Sequence, residues 1–247
     1  MSRYAAHLPL TGVGAEGQQR LRAAHVALIG IGGLGCAVAQ YLVASGIGQL
    51  TLCDFDTVAA SNLARQILYR PSDLGRLKTD AASEALQTLN PETHLHCINR
   101  RMTDADLHTL LPGCDLVIDA SDNYGTRLAV NRACLALKKP WIMAACIRME
   151  GQIMVLRPDT PSQACYRCVY GTAPETLEDC PGAGIFAPVA GIIGVSAAYF
   201  ALAHLAGRTQ AAGLHLFDAT GWQWQTLGLQ KKTACRDCGE TGNHFTR

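Results

Sequence analysis

The chain has 247 residues, 49% of them hydrophobic and 17% charged, which suits a compact globular protein and excludes an intrinsically disordered one. Its formal net charge is +1, so no broad electrostatic field recruits nucleic acid or an anionic membrane. No basic-then-apolar signal peptide opens the chain, and eleven cysteines without one point to a reducing, cytoplasmic compartment.

Taken in chain order, Val26 to Ile29, Leu50 to Cys53 and Leu116 to Ile118 are short apolar runs, the pattern of strands buried on both faces of a parallel sheet. Leu34 to Ser45 between the first two is rich in Ala and Leu and stops at Gly46, so it predicts a helix and one βαβ unit. Lys78 to Leu89 predicts another helix, ended by Asn90-Pro91. His94 to Ile98 alternates as a strand whose two histidines share a solvated face. Thr103 to Leu111 and Thr126 to Ala136 predict helices, and a strand begins at Trp141. Beyond Gly151, Gln152 to Leu156, Leu214 to Phe217 and Trp222 to Leu229 predict further strands. The expected fold class is α/β: a Rossmann-like, mostly parallel sheet flanked by helices, with an elaborated C-terminal part. It is read as one domain over 1–247, with a nucleotide-binding half (1–150) and a second half (151–247).

Ile185 to Ala206 is uncharged and long enough to span a bilayer. It contains Pro188, Gly191, Gly194 and His204 and lacks basic flanks, so it is read as a core or subunit-contact helix, with no membrane partner.

Gly30, Gly32 and Gly35 satisfy G-x-G-x-x-G directly after a strand and before a helix, with Gly33 inside the turn. Such a loop lets phosphate approach the backbone and meet the N–H groups of the helix N-terminus. Asp54, followed by Asp56, stands where a ribose-binding acid ends the second strand. An NAD-dependent oxidoreductase is the first reading of this pattern, but the following residues disfavour it. Asn62, Arg65, Gln66, Lys78, Asp122 and Asn123 can all gather at the carboxyl edge of the sheet. Two cations and a carboxylate there suit a triphosphate with its metal.

Two C-x-x-C pairs, Cys165/Cys168 and Cys235/Cys238, have the spacing of a four-sulfur zinc site that staples the C-terminus to the body. Cys36, Cys53, Cys97, Cys114, Cys134 and Cys146 sit in apolar context and read as core filler. Cys180 lies in a polar loop, beside Glu178 and Asp179, which would raise its pKa.

The segments Gly30–Gly35, Asp54-Phe55-Asp56-x-Val58, Ser61-Asn62-Leu63-x-Arg65-Gln66, Lys78 and Ser121-Asp122-Asn123 resemble the ThiF/MoeB/HesA family, relatives of the ubiquitin-activating enzymes. So do Ala145 to Gln152 and Ala187-Pro188 through Gly194. The resemblance implies ATP-dependent adenylylation of the C-terminal glycine of a small ubiquitin-like sulfur carrier, ThiS-like or MoaD-like and ending in Gly-Gly. Gly33, Asp54, Asn62, Arg65, Lys78 and Asp122 would then form the ATP site, with Mg²⁺ on Asp122. The attacking carboxylate is ionised at neutral pH, so no general base is required. It also implies a covalent role for Cys180, a homodimer, and, with no C-terminal rhodanese domain in the chain, a separate sulfur-donor protein. One departure stands out: where the family usually carries a second arginine after Arg-Tyr, this chain has Ala6, with Arg3 and Arg20 as the nearby cations. The competing readings are adenylylation of another peptide or small carboxylate, and an inactive nucleotide-binding scaffold.

Overall fold

A computed structural model describes residues 3–160, 163–171, 184–208 and 212–239. Among these, the strands are β1 (His25–Ile29), β2 (Gln49–Cys53), β3 (His94–Ile98), β4 (Leu116–Asp119), β5 (Trp141–Ile147), β6 (Glu150–Leu156), β7 (Gly213–Asp218) and β8 (Gln223–Leu227). The helices are α1 (Gly14–Ala23), α2 (Gly33–Ala44), α3 (Lys78–Leu89), α4 (Asp104–Leu110), α5 (Tyr124–Leu137), α6 (Tyr166–Tyr170) and α7 (Ala187–Leu205).

All eight strands lie in a single sheet in the order β3-β2-β1-β4-β5-β6-β7-β8. The first five are parallel, and β5 through β8 are antiparallel neighbours. The apolar run of β1 is explained by its two faces. Val26 and Leu28 enter the core beneath α2, α3 and α7, whereas Ala27 and Ile29 enter the core beneath α4 and α5. A strand covered on both faces has no solvent side, so alternation disappears.

The uncharged segment forms α7, which packs against α2 and against β5 and β6. Helix α7 is long and apolar enough to cross a membrane by composition, yet its residues Val189, Ala190, Ile193, Ala197 and Ala201 are buried in the core of this sheet. Contact with α2 is close: a Cβ at Gly194 would lie 2.6 Å from Leu34 O and 2.9 Å from Ala37 Cβ.

Several expectations change. Gly14–Ala23 is helical although its glycines and charges hid it; it buries only Gly17, Gln18 and Leu21. Cys36, Cys53, Cys114 and Cys134 are core residues, but Cys97 is exposed, because β3 is the edge strand of the sheet. Cys146 is only half-buried. Its strand β5 pairs with β4 only as far as Met143 and then runs four residues further beside β6, carrying Cys146 out beyond the parallel strands. Cys180 lies outside the described residues.

Candidate nucleotide and substrate site

The order of strands reverses between β1 and β4: the chain leaves β1 towards β2 and β3, then returns to β4 on the other side. Open parallel sheets bind ligands beyond the carboxyl ends of their strands at such a switch point. The registers place Ile29, Cys53 and Asp119 level across β2, β1 and β4, so the turns that follow them share one edge. A cleft of about 250 Å³ opens there.

The glycine loop forms the floor of the cleft. Gly30 has φ of 88°, and a Cβ on it would lie 2.9 Å from Ala120 O, so both conformation and space demand glycine. At Gly35 a Cβ would overlap Gly30 O, which is how the first turn of α2 sits directly on the loop. The unpaired N–H groups and positive end of α2 therefore face the cleft. Gly30, Gly32 and Gly33 line it, while Gly35 acts by packing behind them.

Asp54 anchors this loop. Its Oδ2 accepts from Ile31 N at 2.7 Å and its Oδ1 from Asp56 N at 2.9 Å. Burial raises its carboxyl above the usual carboxylate range, against the Ile31 N–H and the nearby Lys78 charge. The buried Lys78 ammonium lies 2.7 Å from Asp56 Oδ2 and 4.0 Å from Asp54 Oδ1. Paired carboxylates are what allow a lysine to be buried here. From the other loop, Asn62, Arg65 and Gln66 line the same cleft, and Arg65 Nη1 donates to Ser61 O at 3.1 Å. Across the switch point stand Asp122, which is exposed, and Asn123, whose Oδ1 caps α5 by accepting from Thr126 N at 2.8 Å.

All the cleft positions read from the sequence are thus assembled except Gly35, which lies behind the lining. The structure adds others. Arg101 stacks over the Phe55 ring at 4.6 Å, at the end of the cleft beside Met102. Arg127 lines the cleft one helical turn after the Asn123 cap, and that i,i+4 spacing on α5 was the available signal. Cys146 lines it too, its thiol pushed up to about 11 by burial despite the Arg65 and Arg127 charges.

Next to the cleft runs a larger groove of about 1290 Å³, bounded by β5 to β8 and α6. Tyr166, Tyr170, Phe217 and Trp224 form aromatic walls, and Tyr170 donates to Gln152 Oε1 at 2.6 Å. Arg65, Asp122, Arg127, Ala145, Cys146 and Ile185 line both spaces, so among the described residues the two cavities share a rim. Ala6 lines neither space, and Arg3 and Arg20 are engaged elsewhere, by Leu89 O and by Glu16 and Ala206 O.

The four predicted cysteines come together far along the chain. Their sulfurs lie within 4.8 Å of one another, with Cys165 3.6 Å from Cys235 and Cys168 3.4 Å from Cys238. A tetrahedral metal with bonds of about 2.3 Å to sulfur needs sulfurs about 3.8 Å apart, so the set can hold a metal ion. Buried Asn131 ties this lobe to α5, donating to Asp237 Oδ2 at 2.8 Å and accepting from Tyr166 N at 2.9 Å. Arg167 Nε completes the bracket 2.9 Å from Asp237.

A glycine loop at the switch point, an acid at the end of β2 and cations around the mouth define a nucleotide-binding α/β protein. The ThiF family pattern matches residues 4–237. The chain is 39% identical over 238 residues to the sulfur carrier protein ThiS adenylyltransferase of Escherichia coli K12, covering 96% of this chain and 94% of that protein. It is equally 39% identical over 242 residues to the molybdopterin-synthase adenylyltransferase of the same organism, covering 97% of each. In fold it resembles a crystal structure of E. coli MccB with AMPCPP and MccA, with a TM-score of 0.85 at 23% identity, over 96% of this chain and 74% of that one. The chain belongs to the ThiF family.

Proposed function

We propose that this protein is an adenylyltransferase that uses ATP and Mg²⁺ to activate the C-terminal glycine of a small ubiquitin-like sulfur carrier, for thiamine or molybdenum-cofactor biosynthesis. The observation that carries the reading is the shared rim: the nucleotide cleft and a groove of about 1290 Å³, which would take the carrier's tail, share lining residues. A carboxylate arriving through the groove meets the nucleotide at that rim.

In this reading the glycine-loop amides and the α2 N-terminus hold phosphate, and Asp54 binds ribose with the acceptor capacity its backbone bonds leave. Asn62, Gln66 and Asn123 line the nucleotide. Arg65 and Lys78 stabilise charge on the α-phosphate and on departing pyrophosphate. Lys78 must then exchange its Asp56 partner for phosphate, and an exposed Asp56 can be resolvated cheaply. Asp122 holds Mg²⁺, which supplies charge neutralisation on the phosphates. The carboxylate oxygen bonds to the α-phosphorus, and the bond to pyrophosphate breaks, taking its electron pair with it.

The four-cysteine set fits zinc by its all-thiolate donors and sulfur spacing, and its role here is structural. Cys180 is assigned the covalent link to the carrier. The chain acts as one domain, as a homodimer, in the cytoplasm, with a separate protein donating sulfur.

ATP–pyrophosphate exchange with a panel of ubiquitin-like proteins ending in Gly-Gly tests the function. Exchange with a ThiS-like or MoaD-like carrier is expected and identifies the pathway. No exchange with any carrier contradicts the reading and leaves a nucleotide-binding scaffold.

A further inference from the structure

Arg127 has the position and the support of a substrate-binding residue. It lies in the first turns of α5, lines both cavities, and its Nη2 donates to Ser121 O at 2.7 Å. The last residue of β4, Asp119, is completely buried. Asp119 Oδ1 accepts from Ser121 N at 2.9 Å. Arg127 Nε is buried and has no hydrogen-bond partner among the described residues.

A buried guanidinium N–H left without a partner is costly. Native proteins retain few such groups, and those retained call for a functional explanation. Burial raises the Asp119 carboxyl, and the Arg127 charge is the largest influence opposing that rise. The buried Asp119 carboxylate thus holds Ser121, and Ser121 O in turn holds Arg127, whose side chain lines the rim between groove and cleft. A guanidinium held this way presents its remaining N–H donors in a fixed fork suited to a carboxylate.

We propose that Arg127 receives the terminal carboxylate of the carrier as its tail passes from the groove into the cleft, with Ser121, itself held by Asp119, as the residue that positions the guanidinium. The assignment rests on the adenylylation reading above for the identity of the incoming acid. Arg127 takes no part in bond making. It holds the carboxylate oxygen that does not attack, while the other oxygen bonds to the α-phosphorus and pyrophosphate leaves.

The test is calorimetric titration of a ThiS-like carrier ending in Gly-Gly, and of the same carrier as its C-terminal amide, into the full chain saturated with α,β-methylene ATP. The wild type should bind the acid about tenfold or more tightly than the amide, the value of a charge-assisted hydrogen bond. Arg127→Gln should lose that preference and Arg127→Lys should keep part of it, while affinity for the ATP analogue falls far less than affinity for the carrier. Equal binding of acid and amide by the wild type overturns the assignment, and that comparison does not depend on how any variant folds. Retention of the full preference in Arg127→Gln overturns it too. A wild type that exchanges pyrophosphate but binds acid and amide equally loses only the role of Arg127. One that prefers the acid without exchange loses only the adenylylation.

Discussion

The Asp54 carboxylate accepts a 2.7 Å hydrogen bond from the backbone N–H of Ile31, so the acid that ends β2 also fixes the glycine loop that follows β1. Loop geometry and, in the proposed function, ribose binding therefore depend on one side chain. Asp54→Ala should weaken binding of an ATP analogue by about tenfold or more and also lower stability by roughly 1–3 kcal/mol, because the Ile31 N–H loses its acceptor. Calorimetry and thermal unfolding check the two effects separately. A loss of affinity with unchanged stability would mean that the loop holds its shape without Asp54.

At the shared rim, Asp122 is exposed, whereas Arg65 is half-buried, packs near Gly33 and donates to Ser61 O. Arg65→Ala and Asp122→Ala should each abolish pyrophosphate exchange, with stability shifted by no more than about 0.5 kcal/mol for exposed Asp122 and by roughly 1 kcal/mol for half-buried Arg65, which loses its bond to Ser61 O. Near-normal exchange in either variant removes that residue from the catalytic set.

Much of this site was legible before the fold. The glycine loop, Asp54 and Lys78 stand next to strand and helix ends that the apolar runs define, and local pattern was enough to find them. Cys146 and Arg127 were hidden for a different reason. Whether a cysteine after Trp141 is core or cleft depends on how far β5 outruns β4, which is a property of pairing register rather than of the residue's own neighbours. Arg127 matters because the βα turn after β4 lets Ser121 bond both to it and to the buried Asp119, eight residues earlier. Helix α1 escaped notice because it lacks a broad apolar stripe and buries two of its three core positions as Gly17 and Gln18.

Cys146 offers a chemical reporter of the rim. With its thiol pushed up to about 11 by burial, only about one thiol in a thousand is ionised at pH 8. Alkylation by iodoacetamide, mapped by peptide mass spectrometry, should therefore be slow at pH 8 and accelerate as the pH rises towards that value. Bound ATP analogue should slow it further, since the thiol lines the nucleotide cleft. Rapid labelling at pH 8, indifferent to nucleotide, would place the thiol elsewhere.

The four-cysteine set should carry one zinc per chain, measurable by metal analysis of the purified protein. A strong chelator should release it and lower the melting temperature by several degrees or more, because metal binding free energy is folding free energy. Cys238→Ser should reproduce the loss of stability and weaken zinc retention. Protein that holds no metal and melts identically with chelator would contradict the assignment.

The central claim is attack at the α-phosphate by a carrier carboxylate, and isotopic labelling reads it directly. Incubation of the protein and a Gly-Gly carrier with ATP labelled at the α-phosphate should transfer label to the carrier, while γ-labelled ATP should yield labelled pyrophosphate. Release of labelled inorganic phosphate from γ-labelled ATP, with none of the α-label on the carrier, would contradict it.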